Sequence, residues 1–233
     1  MEPAEIVARY ERRLQEKDPN LYELIRPDVC MTIQEKERAL IRWIRTCGIQ
    51  PVQTKRVLDV GCGTGKTLEQ FLRLGFEPAN LVGSELLEAR LKAARAHLPA
   101  ALDLRLGDAM DLDYPDESFD VVTQSTVFTS VLDRTFQTNL AERMWRMTKP
   151  GGGVLWYDFT FDNPRNPDVA GIPLRRVREL FPRGSMQHWR LTLAPPISRL
   201  VTRISPALYT VLNTLPILRT HVLCWIEKPK VSA

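Results

Sequence analysis

The sequence predicts an α/β fold in which helices cover both faces of a mostly parallel β-sheet. Short apolar runs of strand length alternate with charged segments of helical period through the middle of the chain. A glycine-rich turn, GCGTG, directly follows the first of these runs, and acidic residues follow the next two. Strands that alternate with helices form a parallel sheet, and ligands bind at the carboxyl ends of its strands. We therefore expect a single domain, 1–233, with a binding site along that edge.

Apolar runs that end before glycine, acidic or polar residues are assigned to strands, and the charged segments between them to helices. In the helices that precede the sheet, Leu40, Ile41 and Ile44 share one face. The stretch KPGGG, residues 149–153, is assigned to a turn because proline and glycine interrupt regular structure. The predicted elements are helices 2–18 and 34–47, strand 56–60, helix 66–74, strand 80–84, helix 86–97, strands 102–106 and 119–123, helix 136–147 and strand 154–159.

The stretch VLDVGCGTGKT, residues 57–67, ends in the Gly-Lys-Thr of a nucleotide-triphosphate P-loop. A P-loop needs four residues between its first glycine and this tripeptide, so that backbone N–H groups curl around phosphates, whereas only three separate Gly61 from Gly65. The dinucleotide-binding pattern also fails, because Lys66 stands where its third glycine belongs. The stretch instead predicts a tight turn that lets the backbone approach a ligand, before a helix whose N-terminal amides point at it.

Carboxylates follow the next two predicted strands. Glu85 lies 20 residues beyond Gly65, where a carboxylate accepts hydrogen bonds from the ribose hydroxyls of an adenosine ligand. Asp108 and Ala109 follow the third strand, within reach of an adenine ring. Three glycine-rich or acidic strand ends in this order predict a ligand that contains adenosine.

These motifs resemble those of class I S-adenosylmethionine-dependent methyltransferases, in the ubiquinone/menaquinone-methyltransferase-like group. The matching segments are VLDVGCGTG, LVGSELLEARLKAAR, GDAMDLDYPDESFDVV and MTKPGGGVLWYD, within residues 55–160. The resemblance implies a Rossmann-like, seven-stranded, mostly parallel sheet with an antiparallel last strand. It also implies methyl transfer with S-adenosyl-L-methionine as cofactor. By this resemblance the cofactor contacts are Asp59, Gly61, Gly63, Gly65, Glu85, Leu86, Asp108, Ala109 and Gln124.

One departure from the family pattern follows the second strand. The family usually has aspartate there, and this chain has Ser84 and Glu85 in its place. Glutamate accepts the same ribose hydrogen bonds, so the cofactor prediction stands. The cofactor carries no phosphate, and its sulfonium and ammonium are cations that suit a pocket edged by Asp59. The single domain is divided into a helical N-terminal cap, 1–54, a cofactor-binding core, 55–160, and an acceptor-side segment and lid, 161–233.

An alcohol acceptor must lose its proton, so a histidine or carboxylate is expected beside the ends of the fourth and fifth strands. Asp158 ends the fifth strand and His221 begins the last one, and both are candidate bases. Their structural alternatives are turn chemistry after Asp158 and a local hydrogen bond of His221. A metal ion is not expected, because no partner carboxylate ends the fourth strand, TQSTVF.

By the family topology the sixth and seventh strands form an antiparallel pair at the sheet edge, with the sixth beginning at His188. Between them lies PPISRLVTRISPALYTVLNTLPILRT, an unusually long connection. Its prolines predict two short helices, 197–204 and 207–215, since proline fits only the first turn of a helix. We expect this helical insert to form a lid over the acceptor site.

Charge is distributed unevenly along the chain. Residues 170–233 hold 10 Lys and Arg against 2 Asp and Glu, a net charge of +8, although the whole chain carries only +4. The three arginines of the insert are expected to meet phosphates of the acceptor or of anionic lipid headgroups. They are Arg199, Arg203 and Arg219. The alternatives for 196–219 are peripheral membrane contact, a homodimer interface and burial against the protein's own core.

The tail resembles methyltransferases of bacterial polysaccharide and O-antigen biosynthesis, which implies a sugar hydroxyl on a nucleotide- or lipid-linked glycan as acceptor. A quinone- or polyketide-like lipid ring, methylated at carbon or oxygen, is one alternative, and a protein that binds the cofactor without catalysis is another. An NTPase stays open because VLWYD resembles a strand that ends in a magnesium-binding aspartate. Nucleic acid is not expected as a substrate, since no motif for a flipped base follows the fourth strand.

The composition, with 44% hydrophobic and 26% charged residues, is that of an ordinary globular protein. The charged first segment predicts no signal peptide, and no uncharged apolar run is long enough to span a bilayer. The four cysteines are scattered without metal-ligand spacing and predict reduced thiols. A cytoplasmic protein is therefore expected, with peripheral association at the inner membrane surface as an alternative.

Overall fold

The computed structural model of this protein describes residues 2–16, 22–163 and 166–230. Within these ranges seven strands form one sheet: β1 (Val57–Val60), β2 (Leu81–Glu85), β3 (Asp103–Leu106), β4 (Phe119–Ser125), β5 (Thr148–Phe159), β6 (Ser185–Leu193) and β7 (Arg219–Glu227). Their order across the sheet is β3-β2-β1-β4-β5-β7-β6. β7 runs antiparallel to both of its neighbours, and the other paired strands are parallel. The predicted Rossmann-like sheet with an antiparallel last strand is confirmed.

Eight α-helices accompany the sheet in the part of the chain that is described. They are α1 (Glu2–Glu16), α2 (Pro27–Thr46), α3 (Lys66–Arg73), α4 (Glu88–His97), α5 (Arg134–Met147), α6 (Leu174–Leu180), α7 (Pro195–Val201) and α8 (Pro206–Leu212). Residues 17 and 18 of the first predicted helix lie outside the described residues. α2 begins at Pro27 rather than at 34, because Pro27 suits a first helical turn and Asp28 favours that end of the helix dipole. α6 was not predicted.

The predicted turn at 149–153 is wrong, because these residues belong to β5. The β4–β5 register shifts there: Phe119 pairs with Thr148, and Val121 already pairs with Gly153. The extra residues of β5 bond instead to the chain beyond β7. Gly151 N–H donates to the Lys228 carbonyl at 2.8 Å, and Lys228 N–H donates to the Gly152 carbonyl at 2.8 Å. Proline and glycine therefore form a long bulge within the sheet rather than a free turn.

Helices bury apolar side chains on both faces of the sheet. On one face α2 contributes Leu40, Trp43 and Ile44 to a cluster that also contains Trp225 of β7. The rings of Trp43 and Trp225 are 5.4 Å apart. The opposite face is covered by α5 and α6. Since α2 is fixed against the sheet by Trp43, it holds its other side chains at a defined position near the strand ends.

The insert between β6 and β7 contains the two predicted helices in shorter form, α7 and α8, and each begins at proline. Tyr209 of α8 is buried, and its hydroxyl donates to Glu35 of α2 at 2.6 Å. Glu35 also accepts from Asn213 at 2.7 Å and from the backbone N–H of Thr192 at 3.0 Å. The insert is thus fastened to the N-terminal cap by one buried carboxylate.

Part of the insert remains uncovered. A group of exposed apolar side chains, named here the apolar outer surface, consists of Leu24, Ile25, Leu200, Ile204, Val211, Leu215 and Ile217. Arg199 of α7 approaches Asp28 of α2 at 3.8 Å, which brings the start of α2 close to the insert. No helix in the described ranges combines the length and apolar character needed to cross a bilayer. All four cysteines carry free thiols.

Candidate functional site

The glycine turn after β1 has the backbone conformation that the sequence predicts. Gly61, Gly63 and Gly65 have φ angles of 65°, 59° and 85°, a region that disfavours residues with a Cβ. Cys62 N–H donates to the Ser84 carbonyl at 2.8 Å, which ties the turn to β2. Gly65 caps α3, and a Cβ there would come within 2.5 Å of Leu98. Gly65 therefore serves close packing of the turn against α4.

A cavity lies at the carboxyl ends of β1, β2 and β3, and five predicted cofactor contacts line it. They are Gly61, Glu85, Leu86, Asp108 and Ala109. Gly63 lies beside it, against the guanidinium of Arg90, which itself lines the cavity. Lys66 is exposed in the first turn of α3, as expected for a helix that needs no phosphate-binding lysine.

Glu85 is the best-fixed carboxylate of the cavity. One of its oxygens accepts from Gly63 N–H at 2.8 Å and the other from Leu87 N–H at 3.0 Å. Arg90 approaches it at 3.8 Å. An ionised carboxylate has about four acceptor positions, so two remain for ligand hydroxyls. Asp108 bonds to Met110 N–H at 2.9 Å and thereby fixes the turn that carries Ala109.

Asp59 does not line the cavity but lies inside β1, one residue before the lining residue Val60, and is the most unusual carboxylate near it. It is buried, and no donor among the described residues hydrogen-bonds to either of its oxygens. Burial raises the pKa of Asp59 to about 7, against an opposing effect of the nearby charge of Lys36. A buried carboxylate without donors is strongly stabilised by a cationic or N–H-bearing ligand. The site therefore fits an adenosine ligand that also carries positive charge.

Gln124 lies behind the cavity instead of lining it. Its side-chain oxygen accepts from Val127 N–H at 3.0 Å, and its amide donates to the Tyr157 carbonyl at 3.5 Å. Asp158 is buried nearby and accepts from the backbone N–H groups of Thr129 at 3.3 Å and Phe159 at 3.2 Å. Burial raises the pKa of Asp158 to about 7. Both side chains hold the loop after β4, and their predicted roles stay predictions.

His221 lies on β7 beside β5. Its ring stacks on that of Tyr157 with centroids 5.2 Å apart, and its Nδ1 is 3.0 Å from the hydroxyl of Thr220. Burial, and then the positive charge of Lys36, lower the pKa of His221 to about 4. The imidazole is therefore neutral at physiological pH.

The N-terminal cap supplies site residues that the sequence reasoning missed. Ile6 and Tyr10 of α1 line the cavity, and the Tyr10 ring lies 5.0 Å from the Arg90 guanidinium. The hydroxyls of Tyr10 and Ser130 are 3.2 Å apart, which fastens α1 to the loop after β4. The cap was predicted only as amphipathic helices, and helical periodicity does not show what the apolar face covers.

Lys36 of α2 was also missed. Its ammonium donates to Ser125 at 3.1 Å and to Thr67 at 3.5 Å, and lies 4.6 Å from the centroid of the Tyr157 ring. Within the described residues, no three His, Cys, Asp or Glu side chains group closely enough to hold a metal ion. The metal-free reaction expected from the sequence stays a prediction.

Comparisons with known proteins agree with this geometry. A family described as a methyltransferase domain matches residues 57–152. The chain is 31% identical over 165 residues to the ubiquinone biosynthesis O-methyltransferase of Thiobacillus denitrificans. The matched region covers 69% of this chain and 67% of that protein. The chain is 37% identical over 139 residues to phthiotriol/phenolphthiotriol dimycocerosates methyltransferase 1 of Mycobacterium ulcerans, covering 58% of this chain and 50% of that protein. The chain thus spans about half the length of the latter relative.

A solved structure shares the fold. An S-adenosylmethionine-dependent methyltransferase from Archaeoglobus fulgidus superposes with a TM-score of 0.59 at 17% identity, covering 84% of this chain and 94% of that one. The glycine turn, the buried Glu85 and the donor-free Asp59 suit the ribose hydroxyls and the cationic amino-acid end of the same cofactor. The chain belongs to the class I S-adenosylmethionine-dependent methyltransferases, and S-adenosyl-L-methionine is its cofactor.

Proposed function

We propose that the enzyme transfers the methyl group of S-adenosylmethionine to a hydroxyl of a lipid-like acceptor. The observation that carries this proposal is the position of the insert. It is anchored to α2 by Glu35, the chain neighbour of Lys36, and it carries five of the seven side chains of the apolar outer surface. The two relatives described above are named for ubiquinone biosynthesis and for phthiotriol dimycocerosates, which supports the same acceptor class.

The chain's own residues account for cofactor binding and for exclusion of water. In this proposal Glu85 accepts hydrogen bonds from the ribose hydroxyls, and Asp59, buried without a donor one residue before the lining residue Val60, attracts the cationic end. α1 covers the cavity through Ile6 and Tyr10 and keeps water from the reacting groups. When bound, S-adenosylmethionine supplies a methyl group on a sulfonium whose leaving group is a neutral thioether. The enzyme then has to align a nucleophile with that methyl group.

A lipid-linked glycan, the acceptor implied by the tail, is the second candidate. The observation that favours it is the exposed Arg203 between α7 and α8, beside the exposed Ile204. An arginine next to apolar side chains suits a phosphate attached to a lipid chain. Arg219 contributes less to such a surface, because its guanidinium donates to the backbone carbonyls of Asn213 and Arg190 at 2.6 and 3.1 Å.

The test of the proposed function combines binding with an acceptor screen. Calorimetry should first show binding of S-adenosylmethionine. Transfer of a labelled methyl group is then measured to a hydroxylated quinol, a hydroxy fatty acid and an undecaprenyl-linked glycan. Methylation of the quinol or the fatty acid supports the proposal. Methylation of the glycan alone supports the second candidate, and binding without any transfer favours a non-catalytic cofactor-binding protein.

Glu85→Ala is expected to weaken S-adenosylmethionine binding by about 1–3 kcal/mol, because the ribose hydroxyls lose a charged acceptor. The Gly63 N–H also loses its partner, so the glycine turn becomes less well fixed. Isothermal titration of the ligand into both proteins measures the difference. Glu88→Ala, at an exposed position in the first turn of α4, is the matched control and should titrate like the wild type. An unchanged affinity of Glu85→Ala would contradict the assigned pocket.

We also propose that the apolar outer surface rests on an anionic membrane. Ile204 and Ile217 are 75% and 85% exposed, which is unusual for isoleucine, and the exposed Arg203 directly precedes Ile204 in the chain. Each basic residue near such a surface adds roughly 1 kcal/mol of attraction. Apolar insertion together with this charge is expected to bind vesicles that contain phosphatidylglycerol more strongly than neutral vesicles.

Arg203→Glu is expected to weaken binding to phosphatidylglycerol vesicles by roughly 1–2 kcal/mol, since a positive charge becomes a negative one. Cosedimentation of the folded variant with vesicles measures this. Arg42→Glu is the matched control. Arg42 is also exposed, and it lies near the C-terminal end of α2, the end opposite to Leu24 and Ile25. If the wild-type protein binds neither vesicle type and sediments as a dimer, the apolar outer surface is a homodimer interface instead.

A further inference from the structure

Lys36 lies at the point where the two halves of the sheet diverge. Strand order reverses between β1 and β4, which are neighbours in the sheet and lead to opposite sides of it. Ligands of open α/β sheets bind in the crevice at this point. The Lys36 ammonium reaches that crevice from α2, bonding to Ser125 at the end of β4 and to Thr67 in the first turn of α3. It thus stands between the cofactor strands and the acceptor-side strands.

We propose that Lys36 is the catalytic base that takes the proton of the acceptor hydroxyl. This inference rests on the proposed function, in which the acceptor is a hydroxyl. Three contacts hold the amine in place, namely Ser125, Thr67 and the face of the Tyr157 ring. The helix that carries Lys36 is fixed on both sides of it, by buried Trp43 toward the sheet and by Glu35 toward the insert. A catalytic base must be held in a defined position, and these contacts hold the Lys36 amine in one.

Burial makes the neutral amine of Lys36 easier to form than that of an exposed lysine. Burial lowers the pKa of Lys36 to about 8, and the negative charge of Asp59 opposes that change. The groups that face it from the packed elements are Asp59 from β1, Tyr157 from β5 and His221 from β7, besides the hydroxyls of Ser125 and Thr67. Tyr157 and His221 are both neutral near pH 7, because burial raises the pKa of the former and lowers that of the latter.

Cofactor binding should raise the fraction of Lys36 that is present as the neutral amine. Asp59 is the carboxylate that stabilises the ammonium form of Lys36, and the cationic end of the cofactor competes for it. Once another cation neutralises Asp59, the ammonium form of Lys36 loses its main stabilisation and meets a second positive charge. Its pKa then falls further, and the proton leaves to solvent before the acceptor binds.

The step balances with the residues at hand. The acceptor hydroxyl gives its proton to the nitrogen lone pair of Lys36 while its oxygen forms a bond to the methyl carbon. The carbon–sulfur bond breaks with its electron pair on sulfur, which leaves a neutral thioether. Lys36 becomes an ammonium and returns its proton to water after the products leave. Asp158 and His221 are the alternative bases. The oxygens of Asp158 already accept hydrogen bonds from backbone N–H groups, and the lowered pKa of His221 makes its imidazole a weak base.

Two variants of Lys36 test the proposal on the acceptor that the screen identifies. Lys36→Met and Lys36→Arg are both expected to lower kcat by about 10²–10⁴, because neither side chain accepts a proton at neutral pH. The dissociation constant for S-adenosylmethionine should change less than about threefold. Wild-type kcat should rise with pH as the amine loses its proton, and the variants should lack this limb. Lys92→Met, at an exposed position of α4, is the control for loss of a lysine.

A second readout needs no acceptor. Calorimetric titration of S-adenosylmethionine at pH 8, in buffers of different ionisation enthalpy, counts the protons released on binding. The wild type should release a fraction of a proton that Lys36→Arg does not, because arginine keeps a positive charge beside Asp59 and does not give up its own proton. Full activity of Lys36→Arg would overturn the proposal in favour of a purely electrostatic role. It is also overturned if both proteins release equal numbers of protons, or if only His221→Ala or Asp158→Asn loses turnover. A wild type that methylates no hydroxyl defeats the proposed function, while proton release still reports on Lys36.

Discussion

Gly63→Val is expected to lower the affinity for S-adenosylmethionine at least about 100-fold, the largest effect of any single change in the pocket. Gly63 has a φ of 59°, and a β-branched residue there costs roughly 1–2 kcal/mol in backbone strain alone. The new side chain would also point at the Arg90 guanidinium, beside the cavity. Any shift of the turn to relieve this contact breaks the hydrogen bond from Gly63 N–H to Glu85. Isothermal titration measures the loss.

The chain offers a matched control for that variant. Gly48 has a φ of 67°, and a Cβ there would meet nothing within 4 Å. Gly48→Val therefore carries similar backbone strain in open space, away from the cavity. It should lower the free energy of unfolding and leave cofactor affinity unchanged. If Gly63→Val binds the cofactor as well as Gly48→Val does, the glycine turn does not form the binding site.

Glu35→Ala is expected to lower the free energy of unfolding by about 3–5 kcal/mol, since three donors, two of them buried, lose a charged acceptor. These donors are the Tyr209 hydroxyl, the Asn213 amide and the Thr192 N–H, at 2.6, 2.7 and 3.0 Å. The melting temperature should fall by roughly 6–20 °C for a chain of this size. Urea denaturation gives the free energy, and thermal denaturation gives the melting temperature.

The same variant should also loosen the insert. α8 is joined to α2 through Glu35, so proteolysis of the native protein should become faster within 195–218. Glu37→Ala is the control. Glu37 lies two residues further along α2, and it forms an ion pair at 3.0 Å with Arg73, whose side chain is largely exposed. Exposed ion pairs of this kind are worth about 0–1 kcal/mol. Equal stability of the two variants would contradict the anchoring role of Glu35.

The sheet and the cofactor motifs could be predicted from the sequence because their signals are local. β1, β2, β4 and β5 each contain a short apolar run, and the glycines, Glu85 and Asp108 lie at or just after strand ends, so their place at the carboxyl edge follows from chain direction. Errors arose where distant segments decide local structure. KPGGG joins β5 because its backbone bonds to residues after β7, a pairing that no local pattern contains.

By itself the sequence determined the parallel sheet, the glycine turn and the carboxylates at the carboxyl ends of β2 and β3, since these depend on the order of residues along the chain. Only the tertiary structure decided what closes the site. Lys36 and Tyr10 belong to helices far from the motifs in sequence, and packing of Trp43 and Ile6 places them at the crevice. The side chain of Gln124 does not line the cavity, and its oxygen accepts instead from Val127 N–H. Side-chain direction depends on partners that the fold brings together, and a one-dimensional pattern does not specify them.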